Sequence, residues 1–206
     1  MKKLLFSTML MLGLFSCINV NVDESSKEQE KMNTNTTIED LMTRRSIRNY
    51  KSEMPSKDVI EEICKVGTFA PTGMNRQSPI IIAVTDKAMR DKLSRLNAAV
   101  LNSDSDPFYG APVVLVVLAD SSVPTWKEDG SLVMGNLMNA AHAKGLGSCW
   151  IHRAKEVFET EEGKAILAEL GIQGDYVGIG NCILGYIDGD YPTARPRKDN
   201  YIFWIE

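Results

Sequence analysis

Residues 43–50 read Thr-Arg-Arg-Ser-Ile-Arg-Asn-Tyr, which places Arg44, Arg45, Ser46 and Arg48 within five consecutive positions. The 206-residue chain is acidic overall, with a formal net charge of −4, so this basic cluster is a local feature. The negative balance argues against a nucleic-acid partner and against an anionic-membrane surface. Arginine presents a planar fork of donors that matches phosphate oxygens. Arg44 and Arg48 are four apart and can share a helical face, and Ser46 adds a hydroxyl between them. The group suits one compact phosphate dianion better than a long polyanion. Arginines serving only solubility at an exposed helix end are the plainer alternative. A second basic group, Arg195, Arg197 and Lys198, lies near the C-terminus. In an extended tail the i, i+2 spacing of Arg195 and Arg197 points both side chains the same way.

Ahead of the cluster the chain changes character. Lys2 and Lys3 precede an apolar run from Leu4 to Phe15, followed by Ser16 and Cys17. The run is shorter than the roughly 20 residues of a membrane-spanning helix and suits a signal peptide over residues 1–16. Its ending, Leu-Phe-Ser-Cys, resembles a bacterial lipobox, so Cys17 is expected to carry lipid and to anchor the protein in the cell envelope. A plain cleaved signal, an uncleaved anchor or a cytoplasmic protein are the alternatives. Residues 17–36 are polar and lack aromatic residues, which reads as a flexible tether. The remaining residues 37–206 have the composition of one globular domain. Three cysteines, Cys64, Cys149 and Cys182, remain after Cys17; they show no zinc spacing and read as small buried hydrophobes.

Within the domain, Thr37 and Asp40 suggest a capping box for a short helix with Ile38, Leu41 and Met42 on one face. Ser56 caps a second helix with Val59, Ile60, Ile63 and Val66 on one side, ending before Pro71. The runs PIIIAV (79–84) and PVVLVVLA (112–119) read as buried strands. A helix is expected from about Ser131 to Lys144, with Leu132, Leu137, Met138 and Ala141 inward and Gly145 as its stop. SCWI (148–151) is a short strand, Lys155 to Leu170 a helix, and 176–187 the last core strand. Mixed strands with interspersed helices indicate an α+β sandwich.

Two glycine patterns do not complete a dinucleotide-binding fingerprint. GLGSCW (145–150) has Trp150 in place of the third glycine, and GIGNCI (178–183) has Ile183 there and lies within an expected strand. His142 and His152 lack metal-ligand spacing, and no role is assigned to either.

Four stretches then occur in a telling order: RRSIRNY (44–50), APTGMNRQSP (70–79), GLGSCWI (145–151) and RPRK (195–198). In order and spacing they resemble the FMN-dependent nitroreductase superfamily, over residues 38 to 206 and most closely its shorter single-domain members. Ser78-Pro79 departs from the Pro-Trp that many members carry after the glutamine. The resemblance implies a three-layer α+β sandwich, its mixed and mostly antiparallel sheet flanked by helices, in an intertwined homodimer with FMN at the subunit interface. It implies that Arg44, Ser46 and Arg48 hold the FMN phosphate with Arg45 nearby, and that Arg195 and Arg197 meet it from the tail. Pro71, Thr72, Gly73, Asn75 and Gln77 would lie along the flavin, often from the partner subunit. Residue chemistry agrees: Gly73 permits close backbone approach, and Asn75 and Gln77 offer amides to a pyrimidine edge. Backbone from Cys149 to His152 would run near flavin N5, with Trp150 or Ile151 packed on the ring, and Asn136 offers a polar contact.

The implied activity is a ping-pong oxidoreductase reducing nitroaromatic, quinone-like or related small acceptors with NAD(P)H or another donor, with no catalytic side chain. Export past the cytoplasmic nucleotide pool favours another donor. The same scaffold serves dehalogenation, flavin fragmentation and peptide-heterocycle oxidation, and fold does not choose among them. A non-enzymatic phosphate- or anion-binding lipoprotein is the competing reading from another class.

Overall fold

The computed structural model describes residues 36–206. The expected leader, Cys17 and all of the tether but Thr36 lie outside the described residues. The chain divides into residues 1–38 and a body, Glu39–Glu206, which holds every element discussed below except the first residues of α1. Residues 36–43 are helical (α1), so Thr37 sits within a helix that has begun by Thr36 and does not cap it. Ile38, Leu41 and Met42 are 57, 56 and 70% exposed, which leaves the apolar face of α1 in solvent.

The body is built around a four-stranded sheet of order β1-β2-β4-β3, antiparallel at every pairing. β1 (Pro79–Val84) and β2 (Val113–Asp120) coincide with the two expected apolar runs. Every side chain from Val113 to Ala119 is fully buried, because β2 is central and both of its faces are covered. Full burial contributes about 1.5–3 kcal/mol per Val or Leu side chain, so this one strand supplies a large part of the core. β3 (Gly147–Ile151) and β4 (Tyr176–Gly185) complete the sheet.

Helices cover both faces, which makes three layers. α2 (Lys57–Gly67) and α4 (Trp126–Ala143) pack one side around Ile63, Val133, Met134 and Leu137. α3 (Lys87–Val100), α5 (Ala154–Glu159) and α6 (Glu161–Glu169) pack the other around Leu93, Val157, Phe158 and Ile166. Ser56 caps α2, accepting from the Val59 amide at 3.4 Å. The sequence reading left 85–111 unassigned, yet Asp86 caps α3 in the same manner, accepting from Met89 N at 2.8 Å.

Three expectations need correction. α4 begins at Trp126, five residues early, and Leu132 is 47% exposed while Val133 and Met134 take the inward stripe. Val66, assigned to the inner side of α2, is 39% exposed. The single helix expected over 155–170 is two. Thr160 adopts an extended conformation, accepts the Gly163 amide at 3.0 Å and restarts the chain as α6. The C-terminal stop of α4 is as expected. Gly145 takes φ 73°, and the Gly145 and Leu146 amides donate back to His142 O and Ala141 O, each at 2.8 Å.

α5 lies directly against β4. A Cβ on Gly178 would stand 2.3 Å from the carbonyl carbon of Ala154 and 2.5 Å from its oxygen. Both are backbone atoms that cannot rotate aside. Gly178→Ala is expected to destabilise the body by about 1–3 kcal/mol, the cost of overpacking a filled interior, read as a lowered urea midpoint with unchanged slope.

Candidate functional site

The arginine stretch leaves α1 as extended chain and docks on the free edge of β3. Ser46 forms a parallel bridge with Ser148, and Ile47 N donates to Ser148 O at 3.0 Å. Ile47 is 3% exposed and presses on Gly147, where a Cβ would stand 2.8 Å from the Ile47 side chain. Further on, Tyr50 pairs with Ile187, and its buried hydroxyl donates to Ile47 O at 2.7 Å. Burial pushes the Tyr50 phenol well up, which keeps that hydroxyl a donor. Two of the four sequence motifs, RRSIRNY and GLGSCWI, are thus neighbours in space.

The arginines separate by role. Arg45 turns back on α1, where Nη1 donates to Met42 O at 2.9 Å and to Arg44 O at 2.8 Å. These are carbonyls at a helix end that want donors. Arg48 is exposed, with its guanidinium 5.9 Å from the Tyr109 ring centroid. Arg44 is half-buried, and its Nη1 is a fully buried donor without a hydrogen-bond partner, as is Arg45 Nε. An unpaired buried donor is costly. A guanidinium nitrogen left in this state, beside the half-buried Ser46, is what an anion site looks like before its anion is counted.

The C-terminal tail reaches this point through a residue that the sequence reading passed over. The Tyr191 hydroxyl accepts from Arg45 N at 2.9 Å and donates to Thr43 O at 3.0 Å. His142 stands beside both, with Nδ1 at 3.3 Å from the Tyr191 oxygen and Nε2 at 3.0 Å from Thr43 Oγ1. Arg195 and Arg197 lie beyond this clasp on an exposed, irregular segment and make no hydrogen bond with residues 44–48. Tyr201, Ile202, Phe203, Trp204 and Ile205 follow, 68–102% exposed.

The loop after α2 is strained. Met74, Asn75 and Gln77 have φ of 54°, 53° and 50°. A left-handed residue other than glycine costs roughly 1–2 kcal/mol, and such strain persists only where the surroundings over-determine it. Thr72 Oγ1 accepts from Gln77 N at 3.1 Å, and Gln77 Nε2 donates to Asn75 Oδ1 at 3.2 Å. Pro71, Asn75 and Gln77 are exposed. Gly73 is crowded within its own chain. Its missing Cβ would stand 2.3 Å from Thr125 Oγ1, so its neighbour is α4 of the same chain. Asn136 is likewise committed, donating from Nδ2 to Val66 O at 3.2 Å across the α2–α4 contact.

On β3 the alternation of a strand decides which side chains share a face. Cys149 and Ile151 are buried against the α3/α5/α6 layer, and Trp150 faces the α4 layer over Gly180. Trp150 and Ile151 therefore point to opposite faces of the sheet. Trp150 borders a cleft of about 370 Å³ with Trp126, Lys127, His152 and Arg153. The backbone here is pinned by two buried asparagines. Asn97 Nδ2 donates to His152 O at 2.8 Å, and Asn181 Nδ2 reaches Ile151 O at 3.3 Å and His152 O at 3.4 Å. Arg153 Nε donates to Asn97 Oδ1 at 3.0 Å and takes φ 75°. Asn181 had a visible signal, a polar residue in the middle of an apolar strand; Asn97, in the unassigned segment, did not.

No group of His, Cys, Asp and Glu capable of holding a metal occurs among the described residues, and none of their helices is long and apolar enough to cross a membrane. Cys149 and Cys182 are fully buried free thiols. Burial, reinforced by Glu61, pushes the Cys64 thiol up to about 11. At pH 8 the folded protein is expected to carry about a hundredfold less Cys64 thiolate than a free cysteine. Alkylation by iodoacetamide should be correspondingly slow and should accelerate as pH rises toward that value.

The body is thus a three-layer α+β sandwich with a half-buried guanidinium at its sheet edge and a strained, amide-bearing loop. The chain belongs to the Nitroreductase family, whose model matches residues 41–186. A relative from Archaeoglobus fulgidus with the provisional name NADH dehydrogenase/NAD(P)H nitroreductase is 34% identical over 167 residues, 78% of this chain and 87% of its own. A protein of the same provisional name from Methanothermobacter thermautotrophicus is 28% identical over 129 residues, 58% of this chain, and the chain spans less than two thirds of its length, 62%. Among solved structures, a Bacteroides fragilis nitroreductase with bound FMN superposes with a TM-score of 0.76 at 25% identity, covering 82% of this chain and 98% of that one.

Proposed function

We propose that this chain is an FMN-dependent oxidoreductase acting on small molecules. The observation that carries the reading is the buried, unpartnered Nη1 of Arg44 beside Ser46 on the edge of β3. The donor set fits a phosphate monoester: a guanidinium, a hydroxyl and the flanking Arg48. Tyr191 anchors the tail four residues before Arg195 and six before Arg197, at most about 14 and 22 Å of extended chain, which limits how far either arginine can lie from residues 43–45.

Bound FMN supplies the redox chemistry, two-electron uptake from a reduced donor and delivery to an oxidising small molecule. The protein's part is to bind and orient. Arg44, Ser46, Arg48, Arg195 and Arg197 would hold the phosphate, and Asn75 and Gln77 would offer amides to the ring's pyrimidine edge. The peptides of 150–152, pinned by Asn97 and Asn181, would run along the ring, and the cleft bordered by Trp150 would receive donor and acceptor in turn. Nitroaromatic and quinone-like molecules are the acceptor class, and the sharing of one cleft calls for ping-pong kinetics. The exposed apolar face of α1 and the tail 201–205 support a homodimer, since a monomer leaves that surface in water. Lipidation at Cys17 and an envelope location remain part of the proposal on the strength of residues 1–17, and they favour a donor other than cytoplasmic NAD(P)H.

The first test is the absorbance spectrum of the purified protein before and after adding FMN. Flavin bands near ~450 nm that denaturation releases are expected. Arg44→Ala should weaken FMN binding by about 1.5–3 kcal/mol, the value of a hydrogen bond to a charged group, with the unfolding midpoint kept. A colourless protein that also refuses added FMN would overturn the flavin reading in favour of another anion ligand. Light scattering should give twice the chain mass, and removal of residues 201–206 should shift it toward one.

A further inference from the structure

Asp129 lies in the first turn of α4 and is only 3% exposed, yet its carboxylate makes no use of a cation. Its partners are three neutral donors. Oδ1 accepts from Gly73 N at 2.9 Å, and Oδ2 accepts from Ser78 Oγ at 3.1 Å and from Thr125 Oγ1 at 3.0 Å. Two of the three, Gly73 and Ser78, bracket the strained turn that contains Met74, Asn75 and Gln77. A buried charge is tolerated only when its oxygens are filled, and the N-terminus of α4 adds a favourable dipole.

The position of the carboxylate is itself fixed. The next residue, Gly130, lies so close to β4 that a Cβ would stand 2.4 Å from the Ile179 side chain. Ile179 sits where the β2–β4 register shifts, between the pairs Val117–Gly180 and Leu118–Gly178. The first turn of α4 is thereby seated on the sheet, and the loop is tied to the seated turn. The close approach of Gly73 to Thr125 belongs to the same arrangement: the glycine has no side chain so that its amide can reach the carboxylate.

We infer that Asp129 is a positioning residue, which holds the loop 72–78 in the conformation that presents Asn75 and Gln77 to the flavin; this rests on the reading of that loop as a flavin contact. Core packing does not account for the arrangement. The turn it stabilises is exposed, with Met74 at 85%, and an apolar residue at 129 would fill the same space without burying a charge. Ser78, the point at which the sequence departs from the Pro-Trp of many relatives, supplies one of the three donors.

The test uses the full chain and three variants, Asp129→Asn, Ser78→Ala and Asn75→Ala. FMN affinity is followed by flavin fluorescence, and the midpoint potential of the bound flavin by equilibration with a redox dye. Asp129→Asn is expected to weaken FMN binding about tenfold, the scale of one lost hydrogen bond to a charged acceptor, and to move the midpoint potential. Ser78→Ala, which removes a single donor, should move both in the same direction by a smaller factor. A loop-contact variant, Asn75→Ala, that leaves affinity and potential unchanged would end the reading of the loop as a flavin contact, and with it this inference. A change in Asn75→Ala without any in Asp129→Asn and Ser78→Ala would overturn the role of Asp129 alone. Weaker binding with an unmoved potential in both hub variants would overturn it too, because that is the signature of a less stable apoprotein.

Discussion

The site depends on one edge pairing. Ile47 donates its amide to Ser148 O and buries its side chain against Gly147, and this contact turns a chain leaving a short helix into a strand-like segment along β3. Without it, three adjacent cationic side chains would sit on a flexible connector and repel one another in water. With it, Ile47 points inward, Arg44 and Ser46 are held half-buried at the sheet edge, and Arg45 is turned back onto the carbonyls of α1. The pairing also caps what would be an open sheet edge, a place where unpaired strands attract other chains.

Around that pairing the polar groups are arranged to fix backbone, not to do chemistry. Tyr191 ties the tail to residues 43–45, Asn97 and Asn181 pin the carbonyls of 151 and 152, and Asp129 ties down the loop 72–78. Each is a side chain with at least one hydrogen bond to a main-chain atom bordering the site. That distribution is what a cofactor-dependent enzyme needs, since the cofactor brings the reactivity and the protein supplies a rigid, correctly aimed frame. It also accounts for the silence of the obvious candidates. Cys149 and Cys182 are buried thiols, Cys64 is a half-buried one, and His142 serves as a hydrogen-bonding neighbour of Tyr191 and Thr43.

The surface of the single chain points the same way as the interior. The tail 201–205 and the face of α1 carry large apolar side chains into solvent, while β2 is buried on both sides. Apolar area on that scale is costly to leave hydrated. The proposed homodimer would cover that surface with the same patch of a second copy, by the symmetry of an isologous contact.

Much of this was legible from the amino acids alone. Uninterrupted β-branched runs marked β1 and β2, Ser56 and Gly145 marked helix ends, and the ordered motifs RRSIRNY, APTGMNRQSP and GLGSCWI marked the family, because each is a local pattern with a local physical cause. The division of labour among the arginines was not legible, since Arg44, Arg45 and Arg48 are chemically alike and only the docking of Ile47 sets them apart. Nor was the reason for Gly73, whose crowding neighbour Thr125 is 52 positions away in the chain. Asp129 precedes the start expected for its helix, about Ser131, and carried no signal of its own. Its meaning comes from three donors that are scattered in sequence and brought together only when α4 is seated on the sheet. Local propensity and motif order thus determined which elements and which family; the long-range packing of glycines against side chains decided which polar atoms are spent on the scaffold and which are left for a ligand.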